Sequence, residues 1–499
     1  MKIVLDSPIN KYYVQTLGMI FFPGEHFGEQ EEGEEDQPQL YVKTTEEADG
    51  IRAFARVVAD GAEKSAEYFA EFHPDRTGER TLKLAIGGAV ISAASELMGY
   101  RPAWGMLIGV RPSKVASEML DAGMSKTRVK KLLTSDYLVI PKKAALATDI
   151  ALNERRIVGA PAPRDCSVYI SIPFCPSRCS YCSFVSYTSK RLLDLIPQYL
   201  ERLKEDIRAN FALIDRLGLR VRTVYIGGGT PTILSETQLG DLLAHIASLT
   251  DLSAVDEFTL EAGRPDTITA EKLAIAREYG VTRISVNPQT LFNEVLDRIG
   301  RKHTAEDFYA AYEIARWAKF RTVNVDLIAG LPGDNFRQFS ITMDKVLQLA
   351  PENITVHTFC VKKSAEILRR NSRVYSAKGG DAGKCVDYSQ IKAQQAGYLP
   401  YYMYRQKNTV GNYENVGFSM EGHEGLYNIY MMEEIHSIFS AGAGAVTKFV
   451  DRTGAFPEKK NIERLFHQKY PYEYLNEDRS AAMSEAAVRF YTEHGLLEM

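Results

Sequence analysis

From Val168 onward, short β-branched runs alternate with longer stretches of helical periodicity, and this alternation limits the fold more than any other feature of the chain. The runs are Val168 to Ile172, Thr223 to Ile226, Glu257 to Glu261, Arg283 to Val286, Thr322 to Ile328 and Asn353 to Thr358. Helix-like segments such as Arg191 to Leu217, Glu236 to Leu249 and Ala305 to Lys319 lie between them. Six strand–helix units imply a parallel sheet. The chemically distinctive residues sit at strand C-termini, where barrel folds place their active sites. The expected architecture is α/β, an incomplete six-unit (β/α) barrel whose open side admits a large substrate.

The loop after the first of these runs reads YISIPFCPSRCSYCSF, with Cys175, Cys179 and Cys182 in the spacing C-x-x-x-C-x-x-C. A structural zinc site is normally closed by four protein ligands. Here Cys166 is the nearest spare thiol, and it precedes the strand. A cubane iron–sulfur cluster with one non-protein position suits three soft thiolates better. One strand later comes YIGGGTPTIL, in which Gly227, Gly228, Gly229 and Thr230 let backbone approach a ligand closely and offer bare amides to it. The loop lacks the Lys-Ser/Thr ending of a phosphate loop, which argues against a nucleoside triphosphate.

Together these two loops resemble the radical S-adenosylmethionine (SAM) enzymes, in the subgroup that acts on tetrapyrroles. The resemblance implies a [4Fe-4S] cluster on Cys175, Cys179 and Cys182, with the methionyl amino and carboxylate groups of SAM on the fourth iron. It also implies reductive cleavage to a 5'-deoxyadenosyl radical that abstracts hydrogen from an unactivated carbon. Further cofactor positions follow by resemblance to the oxygen-independent coproporphyrinogen III oxidases: Tyr169 and Tyr181 beside the cysteines, Gly228, Gly229 and Thr230, Glu261 in LEAGRPD, Gln289 in SVNPQT, Arg301 in RIGRKH and Asp326 in NVDLIAGLPG. Cys360 and Val446 match weaker positions that contact adenine or ribose through backbone. Glu261 and Asp326 as capping or ion-paired groups, Arg301 as a surface arginine and Cys360 and Cys385 as ordinary thiols are the plainer readings of the same residues.

The strings VHTFCVKKSAEI and PYYMYRQKNTVGNYENVGFS, with the long N-terminal region, are most similar to the coproporphyrinogen dehydrogenase branch of that group. It implies oxidative decarboxylation of coproporphyrinogen III to protoporphyrinogen IX in haem biosynthesis, with an electron donor such as flavodoxin or ferredoxin. One departure is Phe184, where the best-defined oxidases carry a further cysteine. Related haem chaperones share that phenylalanine, yet their His-Asn-x-x-Tyr-Trp element is replaced here by GHEGLYNIYMMEE, which keeps only His423. A haem-binding chaperone, or a radical enzyme that modifies or degrades haem, are the alternatives. A substrate with four propionates around a large apolar ring needs cations and flat walls; Lys362, Lys363, Arg405 and Lys407 with Tyr401, Tyr402 and Tyr404 supply that mixture.

At 499 residues the chain exceeds one compact core. Three regions are expected: an N-terminal α+β domain over 1–160, the partial barrel over 161–365, and a C-terminal α/β extension over 366–499 that covers substrate. The N-terminal region reads as strands in KIVLDS and YYVQTLGMIFF, an acidic loop, then helices over Glu46 to Phe72, Thr81 to Met98, Ser113 to Ala122 and Lys126 to Thr134. The acidic run GEHFGEQEEGEEDQPQ is either a docking surface for a basic redox partner or a solvated loop. In GVRPSK, Gly109 to Lys114, either an anion sits at the helix start or Ser113 simply caps it. A net charge of -4 excludes a general nucleic-acid surface. Six cysteines, three of them in one loop, point to a reducing, cytoplasmic setting. Leu84 to Ala94, the most apolar stretch, is too short and glycine-interrupted to predict a membrane span.

Overall fold

A computed structural model of the chain describes residues 1–23, 25, 37–74, 76–109, 111–159, 164–182, 186–360, 380–406, 409–455 and 459–497. Most of the acidic run, most of the Gly159 to Asp165 linker, Phe184, Lys362, Lys363 and Lys407 lie outside these residues.

The N-terminal region forms its own sheet of β1 (Lys2–Asp6), β2 (Gln39–Glu46), β3 (Gly50–Ala59) and β4 (Ala62–Glu71), in that order, with β1 parallel to β2 and the others antiparallel. The helix expected over Glu46 to Phe72 is therefore a hairpin. Its alanines and glutamates have helical propensity, but every second residue of β3 (Ala53, Ala55, Val57) is buried. Asp60 and Gly61, with φ of 50° and 72°, make the two-residue turn that right-handed strand twist favours. The opposite correction applies to YYVQTLGMIFF, a helix (Lys11–Phe21) and not a strand. Asn10 starts it by accepting the Tyr12 amide at 2.8 Å, and Val14, Leu17 and Phe21 are buried at helical spacing.

Ser113 is not a cap either: the helix Pro112–Asp121 begins at Arg111, with proline in its first turn, and Ser113 is buried inside it. The helix Gly78–Met98 is long and apolar enough to cross a membrane by composition alone. Here it packs on β3 and β4, burying Leu84, Ile86, Val90 and Ile91.

The large sheet carries the site. Its strands are β5 (Asp165–Ile172), β6 (Arg220–Gly228), β7 (Glu257–Glu261), β8 (Arg283–Ser285), β9 (Thr322–Ala329), β10 (Asn353–Thr358), β11 (Leu399–Tyr404), β12 (Asn415–Ser419), β13 (Ser437–Ala441), β14 (Val446–Val450) and β15 (Ile462–Phe466). Strands β5 to β10 run parallel in sequence order and correspond to the six predicted runs, so the α/β partial barrel is observed. The C-terminal segment extends the same sheet at both edges. β12 pairs antiparallel with β10 and β11 with β12, while β13 lies parallel to β5 and leads to β14 and β15.

Two further contacts set the frame. The helix Leu426–Met432 closes the barrel at the N-terminal ends of its strands, where Glu257 accepts the Leu426 amide at 2.9 Å and the Tyr427 amide at 3.2 Å. The helix Pro141–Val158 and the segment before it join the N-terminal region to the barrel's other edge through buried charges. Lys143 pairs with Glu414, and Trp104 Nε1 donates to Glu414 at 2.7 Å.

Candidate active site

The cysteine loop leaves β5 and is held on three sides. Gly229 and Thr230 donate their amides to the carbonyls of Ile172 and Phe174, each at 2.8 Å. A Cβ on Gly229 would stand 2.5 Å from the Phe174 oxygen, so only glycine allows this approach. The amides expected to be bare in this loop are therefore spent within the fold. On the second side, Ser180 donates to the Ile299 carbonyl at 2.9 Å. On the third, Tyr187 accepts the Cys175 amide at 3.0 Å.

Arg264, which sequence reasoning passed over, ties this loop to the end of β7. It is 3% exposed, donates to Ser177 Oγ at 3.0 Å and to the Ser177 carbonyl at 3.3 Å, and places Nη1 3.9 Å from Cys179 Sγ. The RPD string was its signal: Asp266 fixes the guanidinium at 3.0 Å. Arg301 does the same from the other side, donating to Tyr181 Oη at 3.2 Å, the Gly263 carbonyl at 3.1 Å and the Asn287 carbonyl at 2.7 Å. It is buried, which removes the reading of a surface arginine.

Cys175 and Cys179 are buried and Cys182 is half-buried. The Cys175 thiol is raised to about 11, by burial first and by the neighbouring Cys182 and Cys179, against a hydrogen bond with Thr230 and the charge of Arg264. Three thiols sharing one low-dielectric pocket ionise together only if a cationic centre binds them. Among the described residues no three His, Cys, Asp or Glu side chains converge as they would on a single metal ion. A cubane would take each of the three thiolates on a different iron, a use that this three-cysteine loop fits. Cys166 is fully buried on β5, and burial drives its thiol pKa up; Cys385 is likewise pushed up, to about 12, by burial.

Beside the cysteines the barrel mouth collects polar side chains from successive strands. Glu261 at the end of β7 accepts from Tyr225 Oη and from the Gly228 amide. Burial nonetheless raises its carboxyl to about 7, with Asp326 adding to the shift. Asp326 on β9 is held below the usual carboxylate range: burial acts to raise it, but His357, Asn324 and Arg283 outweigh burial. Asn287 and Asn324 each donate to it at 2.8 Å, and His357 Nε2 lies 3.6 Å away. Gln289 adopts φ of 68°, a left-handed backbone that a non-glycine residue holds only under constraint. Its amide donates to the Asp326 carbonyl at 3.1 Å, and its side-chain Oε1 is buried with no protein partner. An orphaned acceptor beside two carboxylates suits a ligand that brings ammonium, hydroxyl and amino donors.

Tyr169 lines the same lumen in a stack with Tyr225 and Tyr427; centroids are 6.0 Å apart for Tyr169 with each, and 4.5 Å for Tyr225 with Tyr427. Tyr427 and His357 were also missed, because the tyrosine comes from a distant helix and the histidine is a lone residue within a β-branched run. Cys360 follows β10 and bridges to Thr409. Val446 opens β14 just past the turn in which Ala443 accepts from Ser171 Oγ at 2.9 Å.

Arg405 is elsewhere. It is 4% exposed, donates to the Leu107 carbonyl and lies 5.9 Å from the Trp104 ring centroid, and burial pulls its pKa down to about 10. Its charge braces the N-terminal region and is not presented to a substrate, contrary to the expectation from composition. His423, the remnant of the chaperone element, donates or accepts at 3.0 Å with Thr322 Oγ1 at the closed end of the barrel, away from the cysteines.

Comparison with known proteins agrees with this geometry. Residues 169–346 match the Radical SAM superfamily. The chain is 37% identical over 390 residues to the oxygen-independent coproporphyrinogen-III oxidase-like protein HemZ of Bacillus subtilis, covering 76% of this chain and 77% of that protein. It is 30% identical over 315 residues to the heme chaperone HemW of the same organism, covering 62% and 79%. Its fold resembles the coproporphyrinogen III oxidase HemN of Escherichia coli, with a TM-score of 0.51 at 21% identity over 65% of this chain and 71% of that one. The site is thus that of an enzyme class built on a [4Fe-4S] cluster and SAM. The chain belongs to the radical SAM superfamily, in the group that includes HemZ and HemW.

Proposed function

We propose that the chain decarboxylates two propionates of coproporphyrinogen III to vinyl groups without oxygen, giving protoporphyrinogen IX. In this reading Cys175, Cys179 and Cys182 hold the cluster, and Tyr169, Tyr181, Glu261, Gln289, Arg301 and Asp326 surround SAM. When bound, these cofactors supply a hydrogen-abstracting carbon radical. The chain's own residues position and insulate. Glu261 and Asp326 offer carboxylates to the cofactor's cationic and hydroxyl groups, Gln289 offers its unpaired oxygen, and the Tyr169, Tyr225 and Tyr427 stack walls the lumen against water. The substrate propionate loses a hydrogen atom from its β-carbon, then carbon dioxide and one electron, which passes to an acceptor.

The observation that carries the reading is the orphaned Gln289 oxygen, on a residue whose backbone bonds the Asp326 strand, since it leaves a buried acceptor that a ligand can satisfy. HemZ, whose similarity extends over more of the chain than that of HemW, supports the choice of substrate. Propionate recognition falls to Lys362, Lys363 and Lys407, now that Arg405 is engaged. A cytoplasmic setting and the division at about 160 and 365 belong to the same proposal.

A haem chaperone is the second reading, favoured by the 30% identity to HemW and by Phe184. Anaerobic incubation of the iron-loaded chain with coproporphyrinogen III, SAM and dithionite, followed by chromatography of the tetrapyrroles, separates them. Vinyl products support the decarboxylase. Unchanged coproporphyrinogen together with stoichiometric haem retention supports the chaperone.

A further inference from the structure

The cysteine loop has an outer face as well as an inner one. Tyr187, whose carbonyl accepts the Cys175 amide, points its ring outward against Tyr470 with centroids 5.8 Å apart. Tyr470 stacks in turn on Tyr472 at 5.4 Å and 19° between planes. Tyr470 and Tyr472 are 38% and 48% exposed, unusual for paired aromatic rings with apolar surface to bury.

The patch is firmly seated. Tyr474, from the same short helix as Tyr472, is buried against Tyr199, which packs edge-on against Phe174 at 5.1 Å, the residue before Cys175. Tyr199 also donates to the Ser171 carbonyl at 2.8 Å. Packed side chains therefore connect the outer rings to the cysteine loop.

Charge distinguishes the patch from the rest of this acidic chain. Arg178 and Lys469 are exposed beside it, and Lys190 and Arg191, three and four residues after Tyr187 in sequence, are exposed as well. Lys469 lies over the Tyr470 ring at 5.9 Å, and Arg178 and Glu473 act electrostatically on Tyr187. None of the four cations forms an ion pair among the described residues, whereas nearby Arg202 and Arg479 are paired with Asp478 and Glu477. Glu473 and Asp194 are the exposed acids here that form no ion pair among the described residues, so the unpaired charge on the face is in basic excess.

We infer that this face, Tyr187, Tyr470 and Tyr472 rimmed by Arg178, Lys190 and Lys469, docks a small acidic electron-carrier protein that reduces the cluster. The inference rests on the reading of the cysteine loop as the cluster site. One electron leaves the reduced carrier, which is oxidised, and enters the cluster; no bond forms or breaks. Unpaired lysines and arginines steer an acidic partner, and the exposed rings supply the apolar contact at the centre. The basic redox partner envisaged for the acidic loop has the opposite charge from the one this face selects.

The test is binding of oxidised flavodoxin, an acidic flavin carrier, to the iron-loaded chain by calorimetry at low and high salt. Lys190→Glu/Lys469→Glu is expected to weaken binding at least tenfold at low salt, with wild-type cluster absorbance. Lys131→Glu/Lys345→Glu, the same charge change on exposed helices elsewhere, is expected to weaken it less than twofold. Tyr472→Ala, which touches only the exposed ring stack, gives an independent reading and is expected to weaken binding at both salt concentrations. Equal losses in the two charge variants, or flavodoxin binding untouched by all three, would overturn the surface. A wild-type chain that takes up no iron would instead overturn the cluster reading beneath it.

Discussion

At the N-terminal end of the barrel strands most buried polar groups bond one another, although Ser419 Oγ beside Asn353 and Glu433 Oε1 at the end of the closing helix do not. Glu257 caps two amides of the Leu426–Met432 helix, Arg283 and Asn353 donate to the His423 carbonyl at 3.2 and 3.0 Å, and the His423 ring bonds Thr322. At the C-terminal end, Gln289 Oε1 and Thr290 Oγ1 are buried without hydrogen-bond partners, and burial raises the Glu261 carboxyl to about 7. Both ends bury polar groups; the open end gathers its unpaired ones around two carboxylates. An unmade buried hydrogen bond costs roughly 1 to 3 kcal/mol, so the open end is stable in this form only because the rest of the fold carries it. That asymmetry separates the end that closes the barrel from the end that binds.

The contrast breaks most visibly at the cysteines. Alanine at Cys175, Cys179 or Cys182 is expected to abolish iron retention and all SAM cleavage, while Cys166→Ala, Cys360→Ala and Cys385→Ala keep wild-type iron by colorimetric assay. Loss of iron from a folded Cys166→Ala protein would reassign the ligands.

At the closed end the effect should fall on stability alone. Glu257→Ala strips acceptors from two buried helix amides, at about 1 to 3 kcal/mol each. The melting temperature should drop while SAM affinity per folded molecule stays at the wild-type value. A matching loss of SAM affinity would mean that the two ends are not independent.

Asp326→Ala at the open end should do the reverse. Removing a charge-assisted hydrogen bond of about 1.5 to 3 kcal/mol weakens SAM binding by roughly ten- to a hundredfold, with iron content intact. Anaerobic titration giving the wild-type constant would remove Asp326 from the cofactor site.

Much of this architecture is legible in sequence. The six strands could be placed because each carries its own β-branched run, and the cysteine and glycine loops because their ligand spacing is local. What failed was non-local. Arg405 looks like any tyrosine-flanked surface arginine until Trp104 and Leu107 close over it. The β3–β4 hairpin was hidden by helix-favouring alanines although Asp60-Gly61 marked its turn, which a strict search for two-residue hairpins would have found. Tyr427 enters the lumen from more than two hundred residues beyond its stacking partner Tyr169, a distance no periodicity spans.

A smaller effect comes from Glu261. Its folded pKa of about 7 exceeds the ordinary 4.5, so the ligand-free chain holds a proton that the unfolded chain has released. Stability is therefore greatest below about 4.5 for this group and declines as pH rises toward 7, a slope that Glu261→Gln removes from thermal melts. A cationic cofactor favours the ionised carboxylate, so SAM affinity should rise severalfold between pH 6 and pH 8 in wild type, and stay flat in Glu261→Gln, on the order expected for one group. A flat wild-type profile would place the cofactor's charge elsewhere.

Least of all should Arg405→Ala touch catalysis. Its partners lie at the N-terminal brace, so melting temperature falls while KM for coproporphyrinogen III and SAM cleavage hold. A raised KM would return Arg405 to the substrate site.

The central claim is that the open end of this barrel removes hydrogen from a tetrapyrrole propionate. It is tested most directly by supplying coproporphyrinogen III deuterated at the propionate β-carbons, with SAM and dithionite under anaerobic conditions, and analysing the nucleoside product by mass spectrometry. Deuterium in 5'-deoxyadenosine, matched to vinyl product, is the expected result. Unlabelled 5'-deoxyadenosine with intact coproporphyrinogen would contradict the account.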